Sequence, residues 1–128
     1  MGVRAVVSLT EPFETLVPST KYLAHGMEHL QIPTPDYYAA PSIEDICGAL
    51  DFMHGHALKG NGIYVHCKAG RGRSTTVVLC YLIRFKNMTP EAAWNQTWSK
   101  RPRIALTSAQ EKVVLQFDRL NRIGGLPL

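Results

Sequence analysis

Nine consecutive residues concentrate the chemistry of this chain: His66-Cys67-Lys68-Ala69-Gly70-Arg71-Gly72-Arg73-Ser74. A cysteine thiolate is a nucleophile, and a guanidinium is a planar fork that grips two oxygens of a phosphate. The segment follows Ile63-Tyr64-Val65-His66, which reads as a strand, and opens Ser74 to Phe85, apolar nearly all round and so a buried helix. A loop in that position turns backbone N–H groups and the positive end of a helix toward an anion. Gly70 and Gly72 are expected to supply the positive-φ conformations that a tight cradle needs. The helix end, the amides and Arg73 together favour the Cys67 thiolate. A free cysteine is more often a small buried hydrophobe. That reading suits Cys47 and Cys80, which fall inside helical patterns, and suits Cys67 poorly.

Two other chemistries compete for these residues. A nucleotide-binding Walker A loop is also glycine-rich and also joins a strand to a helix, but it needs Gly-Lys-Ser/Thr where this chain has Gly72-Arg73-Ser74. Zinc could draw on His54, His56, His66 and Cys67, but no second Cys or His pair completes the set. The expected metal and cofactor content is therefore none.

The elements that must position the loop follow from hydrophobic period and punctuation. Val3 to Leu9 is a short run rich in β-branched residues and reads as a buried strand. Ser19 to His25 reads as a short helix closed by Gly26, and Glu28 to Ile32 as a second strand stopped by Pro33. Three prolines stiffen residues 33–41 into an extended loop. Ser42 opens a helix with Glu44 and Asp45 in its positive first turn. Thr89-Pro90-Glu91 opens another, which Arg101-Pro102 ends. Ser108 with Glu111 reads as the capping box of a last helix, which Gly124-Gly125 ends. Strands alternating with helices predict an α/β fold with a largely parallel sheet.

Composition narrows the class further. With 128 residues, 45% hydrophobic and 19% charged, the chain has the size and balance of one folded domain. No stretch approaches the roughly 18 apolar residues of a membrane span. Three widely spaced cysteines make no disulfide framework and fit a reducing, intracellular compartment. The net charge of +4 hides an asymmetry: residues 1–51 carry seven acids against two bases, and residues 52–128 three acids against twelve bases. Such a field attracts an anionic partner. Nucleic acid is not expected, because no zinc finger, helix-turn-helix or aromatic-basic stacking pattern occurs.

His66-Cys67, five residues, then Arg73-Ser74 resembles the signature of the cysteine-dependent dual-specificity phosphatases within the protein tyrosine phosphatase superfamily. The fuller string HCKAGRGRSTTVVLCYLI resembles the plant form of the mitochondrial PTP-like group, whose members act on phosphatidylglycerophosphate, phosphoinositides or phosphotyrosine. The likeness extends to Glu11-Pro12-Phe13-Glu14, Met27-Glu28-His29-Leu30, Ile32-Pro33-Thr34 and Arg101-Pro102-Arg103, and so to about residues 2–122. It implies a central sheet flanked by helices and a mitochondrial address. It also implies a two-step mechanism. Cys67 attacks phosphorus, Arg73 and the loop amides hold the equatorial oxygens, and water hydrolyses the phosphocysteine. The amides belong to Lys68, Ala69, Gly70, Arg71 and Gly72. By the same resemblance Ser74 bonds the Cys67 sulfur and helps it leave, His66 orders the loop, and Asp36 is the acid that protonates the leaving alcohol. Asp36 lies 31 residues before Cys67, in the proline-rich loop, where a turn-forming role is its ordinary alternative. No metal is required, because Arg73 and the amides supply the positive field.

The substrate reading rests on charge and on the resemblance. Lys68 and Arg71 add to Arg73 within the loop, which suits a phospholipid headgroup, or else they point outward and only speed encounter. Arg101 and Arg103 read either as a basic rim for an anionic membrane or as solvated charges. Glu11 and Glu14 either brace the loop or are exposed turn acids, and Tyr37 and Tyr38 either line the cleft or pack the loop. The expected function is hydrolysis of phosphatidylglycerophosphate or a phosphoinositide. The alternatives are a protein phosphatase and a non-catalytic phosphate-binding fragment. The chain departs from the family at its start, which falls at the family's third strand. It therefore reads as N-terminally incomplete, with the strand Ile63 to His66 left as an apolar edge.

Overall fold

The structure, a computed structural model, describes residues 3–10, 19–34, 40–67 and 72–127. Among the described residues three strands and five helices follow in the order β1 (Val3–Ser8), α1 (Ser19–Ala24), β2 (Glu28–Gln31), α2 (Ile43–Leu58), β3 (Gly62–His66), α3 (Arg73–Phe85), α4 (Pro90–Lys100) and α5 (Ser108–Ile123). The strands make one parallel sheet in the order β2-β1-β3. This is the α/β architecture expected from the alternation of patterns.

A parallel sheet is normally covered on both faces, and its central strand is apolar on both sides. β1 meets that requirement, with Ala5, Val6 and Val7 all buried. Register then sorts the side chains. Val7 pairs with Leu30 and with Val65, and these residues join the core with Ile46, Leu50 and Met53 of α2 and Val77, Cys80 and Ile83 of α3. Val6 and Ser8 fall on the opposite face with His29, Tyr64 and His66, because successive side chains alternate across a strand. α4 and α5 pack on α3, and Phe117 of α5 is wholly buried.

Capping chemistry fixes most helix ends. The Ser42 hydroxyl accepts from the Asp45 amide and the Thr89 hydroxyl from the Ala92 amide, with Pro90 in the first turn of α4. The last helix corrects the sequence reading. Thr107, not Ser108, is its N-cap: its hydroxyl accepts from the Gln110 amide, and the Thr107 amide donates to the Gln110 side chain. Thr107-x-x-Gln110 and Ser108-x-x-Glu111 satisfy the same rule one residue apart. In the observed register Gln110 is buried against Gly72, just before α3. Gly124 ends α5 with φ 71°, as a left-handed cap requires.

Among the described residues β3 pairs with β1 alone, which makes it the edge the sequence suggested, with Tyr64 exposed on it. No described helix is long and apolar enough to cross a membrane. Glu11, Glu14, Tyr37 and Tyr38 lie outside the described residues.

Candidate active site

Ligands of open parallel sheets bind beyond the carboxyl ends of the strands, and the chemistry-bearing side chains of this chain gather there. Two hydrogen bonds extend the ladder past the strand ends: the Leu9 amide donates to the His66 carbonyl at 2.9 Å, and the Ile32 amide to the Ser8 carbonyl at 2.8 Å. Cys67 is therefore held on the last rung beside Leu9. Its sulfur and the Ser74 hydroxyl oxygen are hydrogen-bonded at 3.4 Å, with both side chains buried.

Arg73 is the first residue of α3 and is only 2% exposed. Its Nη1 donates to the Leu9 carbonyl at 3.1 Å and to the Thr34 carbonyl at 2.8 Å. One nitrogen thus ties α3 to the end of β1 and to the segment after β2. A buried guanidinium without such bonds would be costly, and carbonyl dipoles solvate the charge without cancelling it.

Gly72 corrects a second expectation. Its φ is −114°, so positive φ is not what selects glycine here. The reason is space. A β-carbon at Gly72 would stand 2.9 Å from Cδ of Gln110 and closer still to both heteroatoms of that amide. Gln110 is itself buried and held by the capping box. The Gly72 carbonyl accepts from both the amide and the hydroxyl of Thr76, at 2.9 and 2.8 Å. Unlike α2, α4 and α5, helix α3 has no side-chain hydrogen bond at its N-cap. Its leading amides keep the positive partial charge that suits an anion.

His66 points away from the core. Its Nε2 lies 2.6 Å from the Ser8 hydroxyl, and Tyr64 stacks on its ring at 5.1 Å. The same hydroxyl lies 2.8 Å from Nε2 of His29. Burial holds both imidazoles below the usual histidine range; a hydrogen bond with the Cys67 backbone opposes this at His66, and His66 itself reinforces it at His29.

The other two cysteines are chemically quiet. Burial raises the Cys47 thiol, with Arg84 opposing and Asp51 adding. Burial drives Cys80 well above the ordinary thiol range, and Cys47 adds to the effect. The histidines weighed for zinc are engaged elsewhere: His54 stacks on Phe85, and His56 pairs with Glu28 and Asn61. No group of three His, Cys, Asp or Glu side chains converges among the described residues.

Of the residues singled out in the sequence, His66, Cys67, Gly72, Arg73 and Ser74 come together, while Asp36, Lys68, Ala69, Gly70 and Arg71 lie outside the described residues. Sequence reasoning missed Ser8, His29 and Gln110, and the carbonyls of Leu9 and Thr34. A cleft of about 360 Å³ runs along the open edge of β3 and reaches Ser74 and Thr75, with Lys100 and Arg101 on its border. A larger apolar cavity of about 480 Å³, lined by Leu79, Trp94 and Val114, shares no residue with the Cys67–Arg73 cluster.

Comparison with known proteins bears on this geometry. Residues 1–119 match the family described as dual specificity phosphatase, catalytic domain. The chain is 60% identical over 120 residues to phosphatidylglycerophosphate phosphatase PTPMT2 of Arabidopsis thaliana, covering 94% of this chain and 53% of the relative. It is 55% identical over 117 residues to PTPMT1 of the same plant, covering 91% of this chain and 35% of the relative. The chain thus spans about half the length of the first and about a third of the second. The crystal structure of PTPMT1 in complex with PI(5)P superposes with a TM-score of 0.91 at 30% identity, covering 95% of this chain and 80% of that one.

Proposed function

The chain belongs to the dual specificity phosphatase catalytic-domain family, and from that premise we propose that residues 1–128 form one catalytic domain hydrolysing a phosphomonoester through a phosphocysteine at Cys67. The observation that carries this reading is the convergence of Cys67, Ser74 and the buried, carbonyl-anchored Arg73 at the carboxyl ends of parallel strands.

In the first step the Cys67 thiolate attacks phosphorus in line with the leaving oxygen. The S–P bond forms as the P–O bond breaks, and Asp36 gives its proton to the departing alcohol. Charge builds on the three equatorial oxygens, which the loop amides and the Arg73 guanidinium stabilise. In the second step water attacks the phosphocysteine and the Asp36 carboxylate takes its proton. The sulfur departs as thiolate, and the Ser74 hydroxyl turns to donate to it from 3.4 Å. The role of Asp36 is supported by its place in the sequence, in the proline-rich loop 31 residues before Cys67, as the family resemblance implies.

The substrate we propose is phosphatidylglycerophosphate, with phosphoinositides as the related class. The names of the two plant relatives and the PI(5)P complex support it, as does the charge that Lys68 and Arg71 add to the loop. Such a substrate sits in a membrane, and the exposed Lys100 and Arg101 at the β3 cleft, with the exposed Trp98 and Arg103 close to them in sequence, suit an anionic interface. The mitochondrial address follows from the resemblance alone and is tested by imaging the tagged protein.

The test is phosphate release without added metal from phosphatidylglycerophosphate, a phosphoinositide panel and a phosphotyrosine peptide, each with Cys67→Ser as control. Cys67-dependent release, fastest on phosphatidylglycerophosphate, is expected. Fastest release from the peptide would replace the lipid with a protein substrate. No Cys67-dependent release from a folded protein would leave a phosphate-binding module.

A further inference from the structure

A closed ring of hydrogen bonds runs through Arg73. Its Nη1 donates to the Leu9 carbonyl at 3.1 Å and to the Thr34 carbonyl at 2.8 Å. The Thr34 hydroxyl donates to the Ile32 carbonyl at 3.1 Å, and the Ile32 amide donates to the Ser8 carbonyl at 2.8 Å. The peptide bond from Ser8 to Leu9 completes the circuit. Ser8, Leu9, Ile32, Thr34 and Arg73 are all buried, so each polar group here depends on its partner rather than on water.

Two side chains close this ring, the Arg73 guanidinium and the Thr34 hydroxyl. The guanidinium reads as the phosphate grip. The hydroxyl has no part in that reading, and its burial asks for a reason: threonine is mostly a surface residue, yet Thr34 is 2% exposed. Pro33, between Ile32 and Thr34, supplies one. Proline has no N–H to give, and it holds the residue before it extended. The turn out of β2 is therefore closed by a side chain, in the way that Ser and Thr hydroxyls bond nearby backbone groups. Thr34 thus donates to the residue after β2 through its side chain and accepts from Arg73 through its carbonyl. Nη1 has two hydrogens, and Leu9 and Thr34 offer it one carbonyl each.

We propose that Thr34 is a positioning residue for the phosphate grip: its hydroxyl fixes the direction of its own carbonyl, and that carbonyl fixes the plane of the Arg73 guanidinium. The proposal rests on the reading of Arg73 as the group that holds the phosphate oxygens. Planarity is why the direction matters, since a fork grips two oxygens only when its plane faces them. Valine keeps the branched shape of threonine without the hydroxyl, and serine keeps the hydroxyl without the methyl. The two variants therefore separate bonding from packing.

Tungstate, a tetrahedral oxyanion, is titrated calorimetrically into Cys67→Ser protein, where no turnover intrudes. Adding Thr34→Val is expected to weaken binding about tenfold, the worth of one hydrogen bond, whereas adding Thr34→Ser keeps it within about twofold. A merely structural hydroxyl would lower the urea midpoint of Thr34→Val and leave the tungstate affinity of the folded protein unchanged. That result, or equal weakening by Thr34→Ser, would overturn the proposal. The link is also read without ligand, by 15N NMR of the arginine side chains. Separate, slowly exchanging Nη1 and Nη2 signals of Arg73 are expected in the unsubstituted protein, merging in Thr34→Val. Merged signals in the unsubstituted protein would overturn the proposal even if Thr34→Val failed to fold. Tungstate binding undiminished by Arg73→Lys would instead overturn the premise that Arg73 holds the phosphate, and the Nη signals tell that failure from a failure of the Thr34 link.

Discussion

Arg73 and Thr34 are joined by a 2.8 Å hydrogen bond from Nη1 to the backbone carbonyl, between residues 39 positions apart in the chain. The bond links the first turn of α3 to the segment after β2, two residues before Asp36 in the sequence. A single buried guanidinium thus ties the start of α3 to the end of β1 and to the segment after β2. The proposed phosphate grip uses the same planar group.

Asp36→Asn is expected to separate the two chemical tasks. Release from an alkyl phosphate such as the lipid, whose alcohol leaves poorly without a proton, should slow by about a hundredfold or more. Release from an activated aryl phosphate should slow by less than about tenfold. Parallel steady-state measurements on the two substrates check this, and equal slowing on both would remove Asp36 as the leaving-group acid.

Gly72→Ala is expected to push the new methyl group into the Gln110 amide, costing about 1–3 kcal/mol of stability and part of the activity. Gln110→Ala opens that space, so the two substitutions should couple rather than add. A double-mutant cycle by urea unfolding measures this, and strict additivity would show that the close approach is not what excludes a side chain at Gly72.

Stability should fall as acid is added. Burial depresses the folded-state titration of His29 and His66 below the ordinary histidine value near 6.5. Above that value both rings are neutral, folded or unfolded, and the contribution is complete. As pH falls through about 6.5, the unfolded chain takes up protons that the folded chain refuses, so folding is weakened. Urea midpoints between pH 7.5 and 5 should therefore fall, and fall less in His29→Gln. A wild-type midpoint that does not move, or that rises, would contradict the buried neutral pair.

The parts of this molecule written in short stretches were legible in the sequence. Ser42 and Thr89 announced their helices because a cap needs only a hydroxyl and the next turn, and Gly124 marked an end for the same local reason. The parallel sheet followed from the alternation of patterns. Contacts set by register were not legible. Ser8 meets His29 and His66 across 21 and 58 positions, and each alone reads as an ordinary strand residue. Arg73 could be read as a phosphate fork, but backbone carbonyls as its partners leave no mark in a side-chain pattern. The Thr107 cap lost to Ser108 in the reading because two overlapping boxes satisfy one rule, and only burial of Gln110 against Gly72 tells them apart.

Capture of the intermediate bears most directly on the role of Cys67. The protein is mixed with a 32P-labelled phosphomonoester, quenched within the first turnover and digested, and the label is located by peptide mapping. Label bound through sulfur on the Cys67 peptide is expected, lost in Cys67→Ser and accumulating if Asp36→Asn slows the second step. Phosphate released with no label on Cys67, or label retained in Cys67→Ser, would contradict catalysis through a phosphocysteine.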